Sequence, residues 1–135
     1  MGEKFALVIG IETYIDRKIP EVQHAEADAK EFAEVLLLHG FEGINIQILL
    51  SLVATKATIE SRLRRILSLA TVDDQIILFY AGHGFAENDH NYLTCSDTTR
   101  GDLVNTSISL QSILTLIRKS NRNLRNLAKN IAKNQ

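Results

Sequence analysis

Three short apolar runs constrain this chain more than any other feature: "FALVIGI" (Phe5–Ile11), "INIQILL" (Ile44–Leu50) and "QIILFYA" (Gln75–Ala81). The first is continuous and rich in β-branched residues, the pattern of a strand buried on both faces. The other two read as strands of similar length. Between them lie stretches with a helical period. In "AEADAKEFAEVLLLHGF", Ala25, Ala29, Phe32, Ala33, Leu36 and Leu37 fall on one side, and Gly40 is placed to end the helix after His39. A second helix through Leu69 sets Ile59, Leu63, Ile66 and Leu67 on its apolar side, with Thr58 expected as its cap. "SLQSILTLIRK" reads as a further helix starting after Ser109. Strands alternating with helices imply an α/β fold, a mostly parallel sheet covered on both faces. The three strands are expected to be adjacent and parallel.

A chain of 135 residues fits one domain, with 45% apolar and 23% charged residues, ordinary proportions for a globular protein. Its net charge of -1 creates no global field, so neither nucleic acid nor a membrane is an expected partner. Phe5–Ile11 is far too short to span a bilayer, and no small-residue cleavage site follows it, so no signal peptide is expected. Cys95 is the single cysteine, which excludes an internal disulfide and favours a reducing compartment. A cytoplasmic location is the resulting expectation. Charge is nonetheless uneven. No acid follows Asp102, whereas Arg118, Lys119, Arg122, Arg125, Lys129 and Lys133 are basic. The chain thus divides into a domain over 1–118 and a basic, asparagine-rich segment over 119–135, either an amphipathic helix with Leu124, Leu127 and Ile131 on one side or a tail.

The chemistry concentrates at the end of the third strand, where "AGHG" puts His83 between Gly82 and Gly84. Ligands in open parallel sheets gather beyond the carboxyl ends of the strands. An imidazole there can serve as base or acid near neutral pH, or be a turn histidine whose glycines serve only geometry. Asp28, near His24 and Glu26, can bind a cation or a basic group, or be a solvated acid in the first turn of its helix. Cys95 is a tempting nucleophile for His83, but "NYLTC" is itself half-apolar, and buried cysteine commonly acts as a small hydrophobe. Asp89 and His90 lack the further ligands a metal needs. "VIGIETY" carries a single glycine, so it matches neither nucleotide-binding loop. Neither a metal nor a cofactor is expected.

In order and spacing these segments resemble the caspase-like cysteine peptidases, in particular metacaspases and bacterial orthocaspases. "ALVIGIETY" resembles their first strand and turn, and "AEADAKEFAEVLLLHGF" their helix with an Asp-Ala pair. "IILFYAGHG" resembles the strand carrying the catalytic histidine, and "NYLTCSDT" the segment after it. The likeness runs from Phe5 to about Ile117 and implies a three-layer α-β-α sandwich. It implies His83 as the catalytic histidine, Gly84 in the oxyanion region, and Asp28 as the acid of a pocket for an arginine or lysine side chain. Asp97 matches the aspartate closing the last segment. Cys95 falls where the family has a structural proline, which speaks against it as nucleophile.

The family's cysteine lies on the strand after the next helix, about fifty residues beyond the histidine. Here that region is "NLRNLAKNIAK", with neither cysteine nor strand pattern, so the sheet is expected to be incomplete at the nucleophile strand. The open edge of the third strand would then be covered by the segment from Asn121 or offered to a partner chain. Three readings follow. The chain is part of a caspase-like endopeptidase whose nucleophile is on another chain or lost by truncation; or a pseudo-peptidase that binds or regulates; or a domain presenting a basic helix to an acidic partner or membrane surface. Its expected partners are a peptide or protein with a basic P1 residue, or a chain that completes the site.

Overall fold

A computed structural model describes residues 2–120 and the backbone of 126–131. The first apolar run forms β1 (Lys4–Gly10), buried along nearly its whole length. After a loop through Pro20, α1 (Ala25–Leu38) buries Ala25, Ala29, Ala33 and Leu36, spaced to share one helix face. Gly40, at φ 89°, ends it in the left-handed region that glycine enters without strain. Small residues let α1 lie close on β1. A Cβ on Gly10 would stand 2.5 Å from the Ala25 carbonyl oxygen and 2.7 Å from Ala29 Cβ.

The second run gives β2 (Ile46–Leu50), shorter at its start than its apolar pattern because Gly43–Asn45 form a 3-10 turn. α2 (Lys56–Leu69) buries Ile59, Leu63, Ile66 and Leu67, the four expected residues. Its cap is Thr55 rather than Thr58. The Thr55 side chain accepts from the Thr58 N–H at 3.2 Å, because Thr58 already stands in the first turn, where amides lack helical partners. Asp97 Oδ1 accepts another of those amides, from Lys56, at 2.9 Å.

β3 (Gln75–Ala81) pairs with β1 along all seven residues, from Lys4↔Gln75 to Gly10↔Ala81. Beyond it come β4 (Gly84–Glu87), β5 (His90–Leu93), α3 (Leu103–Thr106), β6 (Ile108–Ser109), α4 (Leu110–Ser120) and β7 (Asn126–Ile131). The main sheet runs β2-β1-β3-β7, parallel throughout, with the three apolar runs adjacent as expected. α1 covers one face, where Phe32 stacks on Phe79 at 4.4 Å. α2 and α4 cover the other, with Ile59, Leu63 and Ile113 against Leu7, Ile9, Leu78 and Tyr80. The result is a three-layer α-β-α sandwich.

Asn126–Ile131 corrects the expectation of a helix or tail, and of a missing strand. These residues pair with β3 from Gln75↔Asn126 to Tyr80↔Ile131. Leu127 and Ile131, four apart, look helical in isolation, but the edge of β3 offers a full row of backbone partners that a helix there would leave unmet. Arg122, Leu124, Arg125 and Lys133 lie outside the described residues.

β4, β5 and β6 form a small antiparallel sheet. The polar loop containing Asp89 is a tight hairpin: Glu87 pairs with His90, and Asn88 and Asp89 both have positive φ (52° and 64°). A two-residue turn of this hand suits the twist of the strands, and Asn and Asp tolerate it better than most residues.

One buried acid ties the start of β1 to the start of β3. Asp74 accepts N–H bonds from Glu3 and Thr71, each at 2.7 Å. Burial pushes its carboxyl up, but the Thr71 and Glu3 amides outweigh this and hold it below its ordinary value of 3.8. A depressed carboxyl stabilises the fold above its unfolded value, and that contribution is lost as pH falls through the folded value. Asp74→Asn is therefore expected to destabilise by about 1–3 kcal/mol at neutral pH. In urea melts, its deficit against the native chain should shrink below about pH 4. A deficit constant from neutral to strongly acidic pH would contradict this role.

Candidate active site

β3 delivers its chain to the carboxyl edge of the sheet, and His83 follows two residues later. Its ring Nε2 lies 2.8 Å from the Pro20 carbonyl oxygen in the loop between β1 and α1. A carbonyl can only accept, so Nε2 carries the proton in the neutral ring and Nδ1 holds the lone pair. That makes Nδ1 the basic nitrogen. The Tyr14 ring lies 5.5 Å away, tilted by 34°. His83 and Gly84 together line an open groove of about 410 Å³ with Lys18, Pro20, Thr94 and Arg100.

The backbone of His83 is held by three hydroxyls. Its N–H donates to Tyr14 Oη at 3.0 Å. Its carbonyl accepts from Tyr80 Oη and from Thr94 Oγ1, both at 2.8 Å. Tyr14 Oη and Thr94 Oγ1 are themselves 2.7 Å apart. Burial pushes both phenols up, Tyr80 well above its ordinary value, so both keep their protons. This cluster also explains the first glycine of the motif. A Cβ on Gly82 would stand 2.6 Å from Tyr80 Oη and 3.2 Å from Tyr14 Oη. Space rather than backbone angle demands glycine there.

The other sequence candidates separate. Asp28 is exposed in the first turn of α1, while the charged residues lining the His83 groove are Lys18 and Arg100. The acids held at the strand ends are Glu26, which takes a hydrogen bond from the Ser51 hydroxyl, and Glu12, whose Oε1 accepts the Glu26 N–H at 3.0 Å. Asp97 serves the start of α2, as above. Cys95 is fully buried, and its N–H donates to Thr98 Oγ1 at 2.7 Å. Burial, then the negative charge of Asp97, push its thiol up to about 12. Near neutral pH that leaves about a thousandfold less thiolate than an ordinary cysteine holds. Iodoacetamide should therefore label the folded chain at least about a hundredfold more slowly than the urea-unfolded chain. Equal rates would show an accessible, reactive thiol.

Tyr14, Tyr80, Thr94 and the Pro20 carbonyl were not singled out by sequence. A tyrosine two residues before a glycine, at the end of a buried strand, was the available signal. A backbone carbonyl leaves none. Among the described residues, no three His, Cys, Asp or Glu side chains are placed to hold a metal. No described helix is long and apolar enough to cross a membrane.

A family model described as Caspase domain matches residues 3–130. Similar solved structures include protein GSU0716 from Geobacter sulfurreducens, at 19% identity and a TM-score of 0.73, over 97% of this chain and 49% of that one. Pro-sf-caspase-1 is similar at 12% identity and 0.72, over 98% of this chain and 50% of its own. The Drosophila initiator caspase Dronc follows at 16% and 0.71, over 96% and 47%. Identities this low establish a shared fold alone. The chain spans about half the length of these structures. No curated protein matches it significantly.

Proposed function

The chain belongs to the caspase-domain family, and from that premise we propose that it is the histidine-bearing part of a caspase-like cysteine endopeptidase site. The observation that carries this is His83, set beyond a central strand with Nε2 bound to Pro20 and Nδ1 left to take a proton. In that reaction Nδ1 takes the thiol proton as sulfur attacks the peptide carbonyl, then returns a proton to the leaving amine. Gly84, at the groove, belongs to the oxyanion region. Cys95 is not the nucleophile, being buried and held protonated. β7 lies beside β3, where the nucleophile strand of the family is expected, yet "NLAKNI" contains no thiol. The nucleophile is therefore supplied by another chain or segment, or is lost.

Asp28 is proposed to receive a basic P1 side chain. The Lys18 and Arg100 rim supports a second specificity, for an acidic residue. Loss of the nucleophile would leave a pseudo-peptidase that binds peptides without cutting them. The purified chain should not cleave arginine, lysine or aspartate reporter peptides, because a base without its nucleophile retains little covalent catalysis. Cleavage gained on adding a cysteine-bearing partner, and lost in His83→Ala, supports a divided site. Binding without cleavage supports the pseudo-peptidase. Cleavage by the chain alone, lost in His83→Ala, would overturn the assignment of the nucleophile elsewhere, and its loss in Cys95→Ser would make Cys95 that nucleophile.

A further inference from the structure

Resting on the reading of His83 as base, we propose that Tyr14 and Thr94 are positioning residues that hold His83 in one protonation geometry through a closed ring of hydrogen bonds. Donors and acceptors fix the direction of this ring. The His83 N–H donates to Tyr14 Oη at 3.0 Å, so Tyr14 must send its own proton elsewhere. Thr94 Oγ1 donates to the His83 carbonyl at 2.8 Å, so it has a lone pair facing Tyr14. The 2.7 Å contact between the hydroxyls is then Tyr14 donating to Thr94. The path leaves His83 at its N–H and returns at its C=O, each bond polarising the next.

Around the ring stand two supports. The Thr94 N–H also donates to the His83 carbonyl, at 3.1 Å. Tyr80 Oη reaches both the His83 and the Thr94 carbonyl oxygens, each at 2.8 Å, and one proton serves one of them at a time. Tyr14 and Thr94 are buried, so water does not readily replace a lost hydroxyl. Fixing the peptide unit fixes the Cα–Cβ direction, and thereby the reach of Nε2 to Pro20. Without the ring, the imidazole can leave that carbonyl and exchange tautomers, turning a protonated nitrogen toward the groove. Misplacement of a reacting group by about 1 Å can cost a hundredfold in rate.

The test needs no turnover, so its outcome is separate from whether the chain is a peptidase. In the full chain, long-range ¹⁵N–¹H correlation at about pH 8.5 reads the tautomer of His83. The native chain should show Nε2–H alone. Thr94→Val keeps the shape and removes the hydroxyl. It is expected to give mixed tautomers and about tenfold faster exchange of the His83 amide. Thr94→Ser, which restores the hydroxyl, should return both to native values, a rescue that mere packing would not produce. Tyr14→Phe provides an independent break of the ring if Thr94→Val does not fold. A mixed tautomer in the native chain, or native tautomer and exchange in a folded Thr94→Val or Tyr14→Phe, would overturn the proposal.

Discussion

Ile9→Asp is expected to abolish cooperative folding. Ile9 lies in β1, between Leu49 of β2 and Tyr80 of β3, and is only 1% exposed. Its side of the sheet meets α2 through Ile59 and Leu63, among neighbours that are mostly apolar and carry no charge. A carboxylate there loses its water and gains no cation, a cost of several kcal/mol even after it protonates. Losing the isoleucine itself adds about 2–5 kcal/mol. Domains of this size are typically stable by only about 5–15 kcal/mol. The two costs together therefore consume most or all of the stability. Near-UV circular dichroism and urea melts should show no native transition, while Ile9→Val should lose only about 0.5–1.5 kcal/mol. A native midpoint for Ile9→Asp would refute the placement of β1 at the centre of the sheet.

Tyr80→Ala should be the next most damaging change, at about 3–5 kcal/mol. The ring is fully buried on the same face, so its removal opens a cavity that Leu7, Ile9 and Leu78 cannot fill without moving. Its hydroxyl also serves the His83 and Thr94 carbonyls. Coupling to Gly82 makes the prediction sharper. Gly82→Ala alone sets a methyl 2.6 Å from Tyr80 Oη, a clash expected to cost about 1–3 kcal/mol. In the Tyr80→Ala background the closest contact is gone and only Tyr14 Oη, at 3.2 Å, remains near the methyl, so the double variant should be more stable than the sum of the two losses. Chemical denaturation of all four proteins measures this directly. Strict additivity would mean that Gly82 is not there to admit the tyrosine.

The acidic limb of stability, the slow thiol and the reporter assays address separate parts of the molecule. Asp74 is remote in function from His83, so its variant should leave the His83 tautomer untouched. Cys95, although next to Thr94 in the chain, has its side chain in the core. Its alkylation rate should follow global unfolding rather than any event in the groove.

β1, β2 and β3 were legible in the sequence, because short apolar runs between amphipathic helices have few places to go other than a covered sheet, although β2 takes the edge of that sheet rather than its middle. The sequence determined α1 and α2 through the spacing of Ala25, Ala29, Ala33 and Leu36 and of Ile59, Leu63, Ile66 and Leu67. It also marked His83, since a reactive side chain just past a buried strand stands out, and the resemblance to the caspase-like peptidases rested on such ordered local patterns. Tertiary structure alone decided what depends on contacts remote in sequence. Asn126–Ile131 becomes a strand because β3 offers an open row of amides and carbonyls, a partner that no window around Leu127 contains. Thr55 caps α2 in place of Thr58 because the helix begins earlier than its apolar period reveals. Pro20 acts through its carbonyl, which every residue has, so only the folded chain distinguishes it. The hydroxyls of Tyr14, Tyr80 and Thr94 meet across as many as 80 positions. No local pattern encodes their meeting, because hydrogen bonds select by distance and direction in space, while the sequence records only order along the chain.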